Sequence, residues 1–159
     1  MSQQNVKTAT HESKETSGEE IVSCVMLSES ERMDFLPGLF GRSWFRAEGY
    51  IYSWMQRHCE GYNGGYWEYY KIGETGGFMA PCFEGEARIS ISGNWCEVDV
   101  TNVAAGVIAT LFILNALTWK LHEKDENDPE IEALIEKAEI LKDYASTLPE
   151  RGKIWRAID

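Results

Sequence analysis

A nucleophilic serine or cysteine needs a base within hydrogen-bond reach, and a zinc site needs Cys and His ligands in pairs at short spacing. The residues of this chain that come nearest to either pattern are the adjacent pair His58-Cys59 and the more distant His122; the third histidine, His11, sits in a polar N-terminal stretch. The four cysteines, Cys24, Cys59, Cys82 and Cys96, are widely separated, with no Cys-x-x-Cys spacing. They read as reduced structural thiols rather than a metal site or a disulfide framework. The pairs Glu84/Glu86 and Glu97/Asp99 each share a strand face by their two-residue spacing, which suits metal binding or acid-base work. A solvated sheet face has the same pattern and is commoner. The acidic loop Asp125–Glu130 lacks the glycine and the twelve-residue ligand spacing of a calcium loop. No nucleophile elbow, P-loop or Rossmann glycine pattern occurs. The reading is therefore a non-enzymatic protein with no catalytic residues, no metal and no cofactor; a small enzyme using His58 and Cys59 is the alternative.

The segments that would position these residues alternate between sheet and helix patterns. The pairs Gly64-Gly65 and Gly76-Gly77 bracket an aromatic run, Tyr66-Trp67-Glu68-Tyr69-Tyr70-Lys71-Ile72, and Phe78-Met79-Ala80-Pro81 follows. Aromatic residues suit a pleated, half-buried surface and glycine supplies positive φ at its ends, so two strands joined by a five-residue turn are expected. Ala87–Ser92 and Trp95–Val100 alternate apolar with polar residues around Gly93-Asn94, a second hairpin with a two-residue turn. Ile21–Met26 reads as a first strand. An antiparallel sheet of about four to five strands results.

Helices fill the remainder. Ser28 and Glu31 fit a capping box, and Pro37-Gly38 is expected to end that helix. From Trp44 to Glu60, Phe45, Ala47, Ile51, Trp54, Met55 and Cys59 form an apolar stripe, with Gly49 marking close packing. Val103–His122 is apolar nearly all round, but Thr110, Asn115 and Thr118 interrupt it, so it reads as a buried central helix rather than a membrane span. Ala104, Ala105, Gly106 and Ala109 would let it approach the sheet closely. Asp128 and Pro129 start a further helix whose stripe is Ile131, Leu134, Ile135, Ala138, Leu141 and Leu148. Pro149 ends it, and Lys153–Asp159 carries enough apolar surface to dock. The class is α+β: one domain over residues 21–159, with a buried central helix packed on the sheet and further amphipathic helices. Residues 1–20 are too polar to offset the entropy of ordering and read as a disordered tail.

Composition narrows the function. At 159 residues and 43% apolar, with six tryptophans, the chain can bury a core without metals or disulfides. Its net charge of −11 argues against direct nucleic-acid binding, which needs clustered lysine and arginine. The first twenty residues lack an apolar signal region, so a cytoplasmic protein is expected. Acidity also invites a DNA mimic that occupies the phosphate-binding groove of a nuclease or modification enzyme. Yet Lys124, Lys137, Lys142, Arg151, Lys153 and Arg156 interrupt the most acidic stretch, residues 123–159.

Five ordered blocks resemble one family. Glu31–Gly41 (ERMDFLPGLFG), Gly64–Tyr70 (GGYWEYY), Gly76–Pro81 (GGFMAP), Ala104–Phe112 (AAGVIATLF) and Arg156–Asp159 (RAID) together resemble the ArdB/KlcA antirestriction family over about residues 28–159. The resemblance implies an α/β protein of plasmids, prophages or genomic islands that relieves type I restriction of unmodified incoming DNA. It implies no catalytic residue and no extended negative surface. The expected partner is a type I restriction-modification enzyme or a host helper protein, met by non-catalytic contact; no membrane role is expected. Aromatic and arginine side chains are typical interface anchors. The candidate contacts are accordingly Tyr66, Trp67, Glu68, Tyr69 and Tyr70 of the first hairpin, with Arg156 and Asp159. The bland reading of the aromatic residues is that they fill the core.

Overall fold

The computed structural model describes residues 23–159. The expected tail, and Ile21 and Val22 of the expected first strand, lie outside the described residues. The element order is β1 (Cys24–Met26), α1 (Glu29–Phe40), α2 (Trp44–His58), β2 (Trp67–Ile72), β3 (Gly76–Pro81), β4 (Glu86–Ile91), β5 (Cys96–Thr101), α3 (Asn102–Lys124), α4 (Glu130–Ala145) and α5 (Arg151–Ile158). The class is α+β as expected, but the five strands form two antiparallel sheets rather than one. One is three-stranded, in the order β1-β2-β3; the other is the β4-β5 hairpin. The break falls between β3 and β4, where α3 takes the place that a fourth strand would have held.

That place is visible in the glycines and in one threonine. A Cβ on Gly106 of α3 would lie 2.2 Å from the Met79 carbonyl oxygen and 2.6 Å from Ala80 Cα. The helix backbone therefore lies directly on β3. The edge N–H of Met79 donates to Thr110 Oγ1 at 3.2 Å, and Thr110 is fully buried. A buried edge strand cannot leave its amides unpaired, and the threonine supplies the acceptor a strand would have given. By length and composition α3 could cross a membrane, but Ala104–Leu111 are buried inside the protein.

Gly76 and Gly77 prove to be strand residues, not turn residues. They pair with Ile72 and Lys71 in the β2-β3 register. Side chains here would strike Ile140 of α4 at Gly76 and Phe35 of α1 at Gly77, each at 2.4 Å. The turn is the three residues 73–75, with Gly73 at φ +57°. β3 is buried along its whole length.

Other expectations are corrected by packing. Pro37 lies inside α1, which continues to Phe40. A mid-helix proline costs about 3 kcal/mol, but the extra turn buries Leu39 and Phe40 almost completely, and each such side chain returns about 1.5–3 kcal/mol. Gly41 then stops the helix at φ +59°, with Glu130 Oε1 only 1.7 Å from where its Cβ would be. The capping box is present: Ser28 N donates to Glu31 Oε2 at 2.8 Å. Gly49 is exposed and a Cβ there would meet nothing within 4 Å, so it marks no close packing. Phe45 and Ile135, assigned to apolar stripes, are 61% and 46% exposed. Thr101, at the N-cap of α3, turns its side chain elsewhere: its N–H and hydroxyl both donate to Glu150 at the start of α5. Helix α4 begins one residue later than expected, at Glu130 with Pro129 at its N-cap, and Asp128 still accepts from Glu130 N at 3.0 Å. The second hairpin has a four-residue turn, since Ile91 pairs with Cys96, and its left-handed residue is Trp95 at φ +56°.

Candidate partner-contact surface

The alternation of β2 decides where its aromatic residues go. Trp67, Tyr69 and Ile72 are buried, while Glu68 and Tyr70 on the opposite face are partly covered. Trp67 is 4% exposed and its Nε1–H donates to Tyr62 Oη at 2.8 Å. Tyr69 is 6% exposed, packs edge-on to Phe35 at 5.9 Å, and brings its hydroxyl to 3.4 Å from that of Tyr52. Tyr52 donates to Glu48 Oε1 at 2.7 Å. Burial pushes the Tyr52 and Tyr69 phenols up, which keeps both neutral and able to donate. Tyr70 stacks on Phe78 at 4.8 Å, and Phe78 on Tyr144 of α4 at 5.6 Å. The candidate contacts Trp67 and Tyr69 are therefore core side chains. With one face of β2 turned to α2, a period of two sends both inward.

The outer part of the hairpin is organised by Arg32 of α1, a residue that sequence reasoning did not single out. Its guanidinium lies 5.0 Å from the Tyr66 ring centroid and 4.9 Å from that of Tyr69, and its Nη2 pairs with Glu68 Oε2 at 2.8 Å. Arg32 Nε is buried without a hydrogen-bond partner. Tyr66 is 51% exposed and donates to Glu29 Oε1 at 3.3 Å. Of the hairpin candidates, Tyr66 is the one aromatic side chain presented to solvent, with Glu68 and part of Tyr70 beside it.

The C-terminal candidates lie elsewhere. Arg156 is exposed and borders an open recess with Trp95, Arg57 and His58. Asp159 borders a separate cleft of about 460 Å³ between α3, α4 and α5, whose walls include Phe112, Ile135 and Trp155. The seven candidates thus form no single site: Tyr66, Glu68 and Tyr69 gather around Arg32, Trp67 is packed inward, Tyr70 is half-covered against Phe78, and Arg156 and Asp159 line different recesses.

The pair His58-Cys59 is held for packing. His58 Nδ1–H donates to the Ser90 carbonyl at 3.0 Å and its ring lies 4.6 Å from that of Trp54. Cys59 is 5% exposed, bridges to Ile89 of β4, and has its thiol pushed up by burial. A nucleophilic cysteine needs the opposite shift and access to substrate. The pair joins the end of α2 to the second sheet. Of the other surface features, Trp95 left one signal in the sequence, an aromatic residue directly after Gly93-Asn94.

Comparison with known proteins agrees with this geometry. The family model described as "Antirestriction protein" matches residues 60–159. Two proteins of Escherichia coli, each named antirestriction protein KlcA, are 38% identical to this chain. One aligns over 139 residues, 87% of this chain and 95% of its own length. The other aligns over 136 residues, 84% and 90%. A solved structure superimposes with a TM-score of 0.79 at 38% identity, covering 91% of this chain and all of that one. It is described as showing that KlcA and ArdB have a novel fold and antirestriction activity against type I DNA restriction systems in vivo but not in vitro. The split sheets, the helix laid on β3 and the ordered blocks thus have one explanation: this chain belongs to the ArdB/KlcA antirestriction family.

Proposed function

We propose that this chain relieves type I restriction of unmodified DNA inside the cell, acting in the cytoplasm through protein contacts and not through catalysis or direct DNA mimicry. The observation that carries the reading is the likeness, in sequence and fold, to KlcA and ArdB proteins described as active in vivo but not in vitro. A groove-filling mimic would act on the purified enzyme as well as in the cell. The charge arrangement supports the same reading. A mimic needs acidic groups at close to the phosphate spacing, about one per 1.7 Å of axis. Here the carboxylates of the β4-β5 face are interleaved with cations: Arg88 pairs with Asp99 at 3.1 Å, and Lys153 lies 3.9 Å from Glu86. The acting unit is residues 21–159, and the partner is the restriction enzyme or a host protein that serves it. Tyr66, Glu68 and Tyr70 on the hairpin, with Arg156 and Asp159, are the candidate contacts.

The test is the plating efficiency of unmodified phage on a host with an active type I system, with and without the chain. Restriction relief is expected, and unchanged plating sinks the reading. Strong, salt-sensitive inhibition of the purified enzyme would instead favour the mimic.

A further inference from the structure

The tip of the β4-β5 hairpin carries a side chain that the fold does not explain. After Gly93, Asn94 is the residue of this turn best suited to a left-handed backbone. It is pinned instead: Nδ2 donates to the Ala157 carbonyl at 2.8 Å and Oδ1 accepts from Cys96 N at 3.2 Å. The left-handed conformation falls on Trp95, at φ +56° and ψ +28°. A bulky side chain there is strained where glycine would not be. Trp95 is also 88% exposed, so burial returns almost nothing.

The cations beside it are equally unaccounted for. Trp95 shares a recess of about 740 Å³ with Arg57, His58, Glu97 and Arg156. Neighbouring charges are matched: Arg88 holds Asp99 at 3.1 Å and lies 3.9 Å from Glu97, and Lys153 lies 3.9 Å from Glu86. Arg57 and Arg156 are exposed and make no ion pair among the described residues. In a chain of net charge −11, two unmatched arginines thus flank a strained, solvent-facing tryptophan.

We propose that the recess formed by Trp95, Arg57 and Arg156 is a docking point for an acidic segment of a partner protein, with carboxylates on the two arginines and an apolar side chain on the indole. Tryptophan and arginine are the residue types most enriched at interface hot spots. A protein segment fits better than a nucleic acid. Arg156 also borders the groove that holds Glu86, Glu97 and Asp99, and a continuous phosphate backbone leaving the recess along it would run onto those carboxylates. A peptide can place one or two charges and then turn away.

The proposal rests on the reading that the chain acts by protein contact, and its test separates the two. Trp95→Gly removes the indole and the strain together, so its unfolding midpoint should equal or exceed the parent's. Loss of fold cannot then explain loss of function. Trp95→Gly, and Arg57→Glu combined with Arg156→Glu, should each reduce restriction relief by about tenfold or more in the plating assay. A full chain with benzoylphenylalanine at position 95, cross-linked in restricting cells, should capture a peptide whose sequence is rich in Asp and Glu. If the parent relieves restriction and both folded variants match it, the docking point is overturned while the functional reading stands. Capture of nucleic acid, of a non-acidic segment or of nothing also overturns it. A parent without activity removes both.

Discussion

The two hairpins of this protein treat their aromatic residues in opposite ways. In β2 and the residue before it, four aromatic residues in a row of five are absorbed by the fold to different degrees: Trp67 and Tyr69 are buried, Tyr70 is stacked on Phe78, and Tyr66 is half-exposed against Arg32. Each polar tip in the buried pair has a neighbour, Tyr62 for the indole and Tyr52 for the phenol. At the tip of β4-β5 a single tryptophan stands 88% exposed in a conformation that disfavours it. Abundance of aromatic side chains therefore marks the core here, whereas one that is out of place marks surface work. An exposed apolar residue gains meaning when its backbone is also strained and its charged neighbours lack partners.

Truncating one tryptophan in each hairpin gives the widest separation. Trp67→Ala should lower stability by about 3–5 kcal/mol in urea unfolding, from a cavity plus the unpaired Tyr62 hydroxyl. Trp95→Gly should raise stability by about 1 kcal/mol. Equal losses would erase the contrast between core and surface. A smaller effect tests why the first hairpin is so thoroughly covered. Gly106→Ala places a methyl against the backbone of β3 and should cost about 1–3 kcal/mol, although alanine is the better helix former. A neutral result would mean that α3 can slide off the strand. The smallest effect belongs to the connections around the two hairpins. The Glu130 backbone N–H, and then Arg42, hold Asp128 below its usual carboxylate range. Its contribution is complete above the unfolded value of about 3.9 and is lost as pH falls through the lower folded value. Asp128→Asn should therefore flatten the acid limb of a stability-pH profile, and an unchanged limb would assign the acid loss to other carboxylates.

Much of this fold was legible from periodicity. The apolar run Val103–His122, the capping box at Ser28 and the bond from Glu130 N to Asp128 at the start of α4 all follow from local chemistry. What was not legible depends on partners distant in sequence. Gly76-Gly77 looks like a turn until Ile140 and Phe35 are seen against it. Pro37 looks like a stop until the burial of Leu39 and Phe40 is counted. The split of five strands into two sheets rests on Thr110, buried against Met79 and serving as an acceptor, which no strand pattern reveals. The candidate surface was legible only in part. Alternation along β2 places Trp67 and Tyr69 on one face and Glu68 and Tyr70 on the other, but only the packing of α1 and α2 decides which face is buried. Arg57 and Trp95 could not have been joined to Arg156, since Asn94 holds α5 against the turn from 63 residues away.

The central claim is that this chain relieves type I restriction in the cell without chemistry of its own. The most direct measurement is the plating efficiency of unmodified phage on a type I restricting host that expresses the full chain, compared with the same host lacking it. The account predicts that expression restores plating toward the level of a non-restricting host. Plating that stays at the restricted level, with the chain folded and present in the cells, would contradict it.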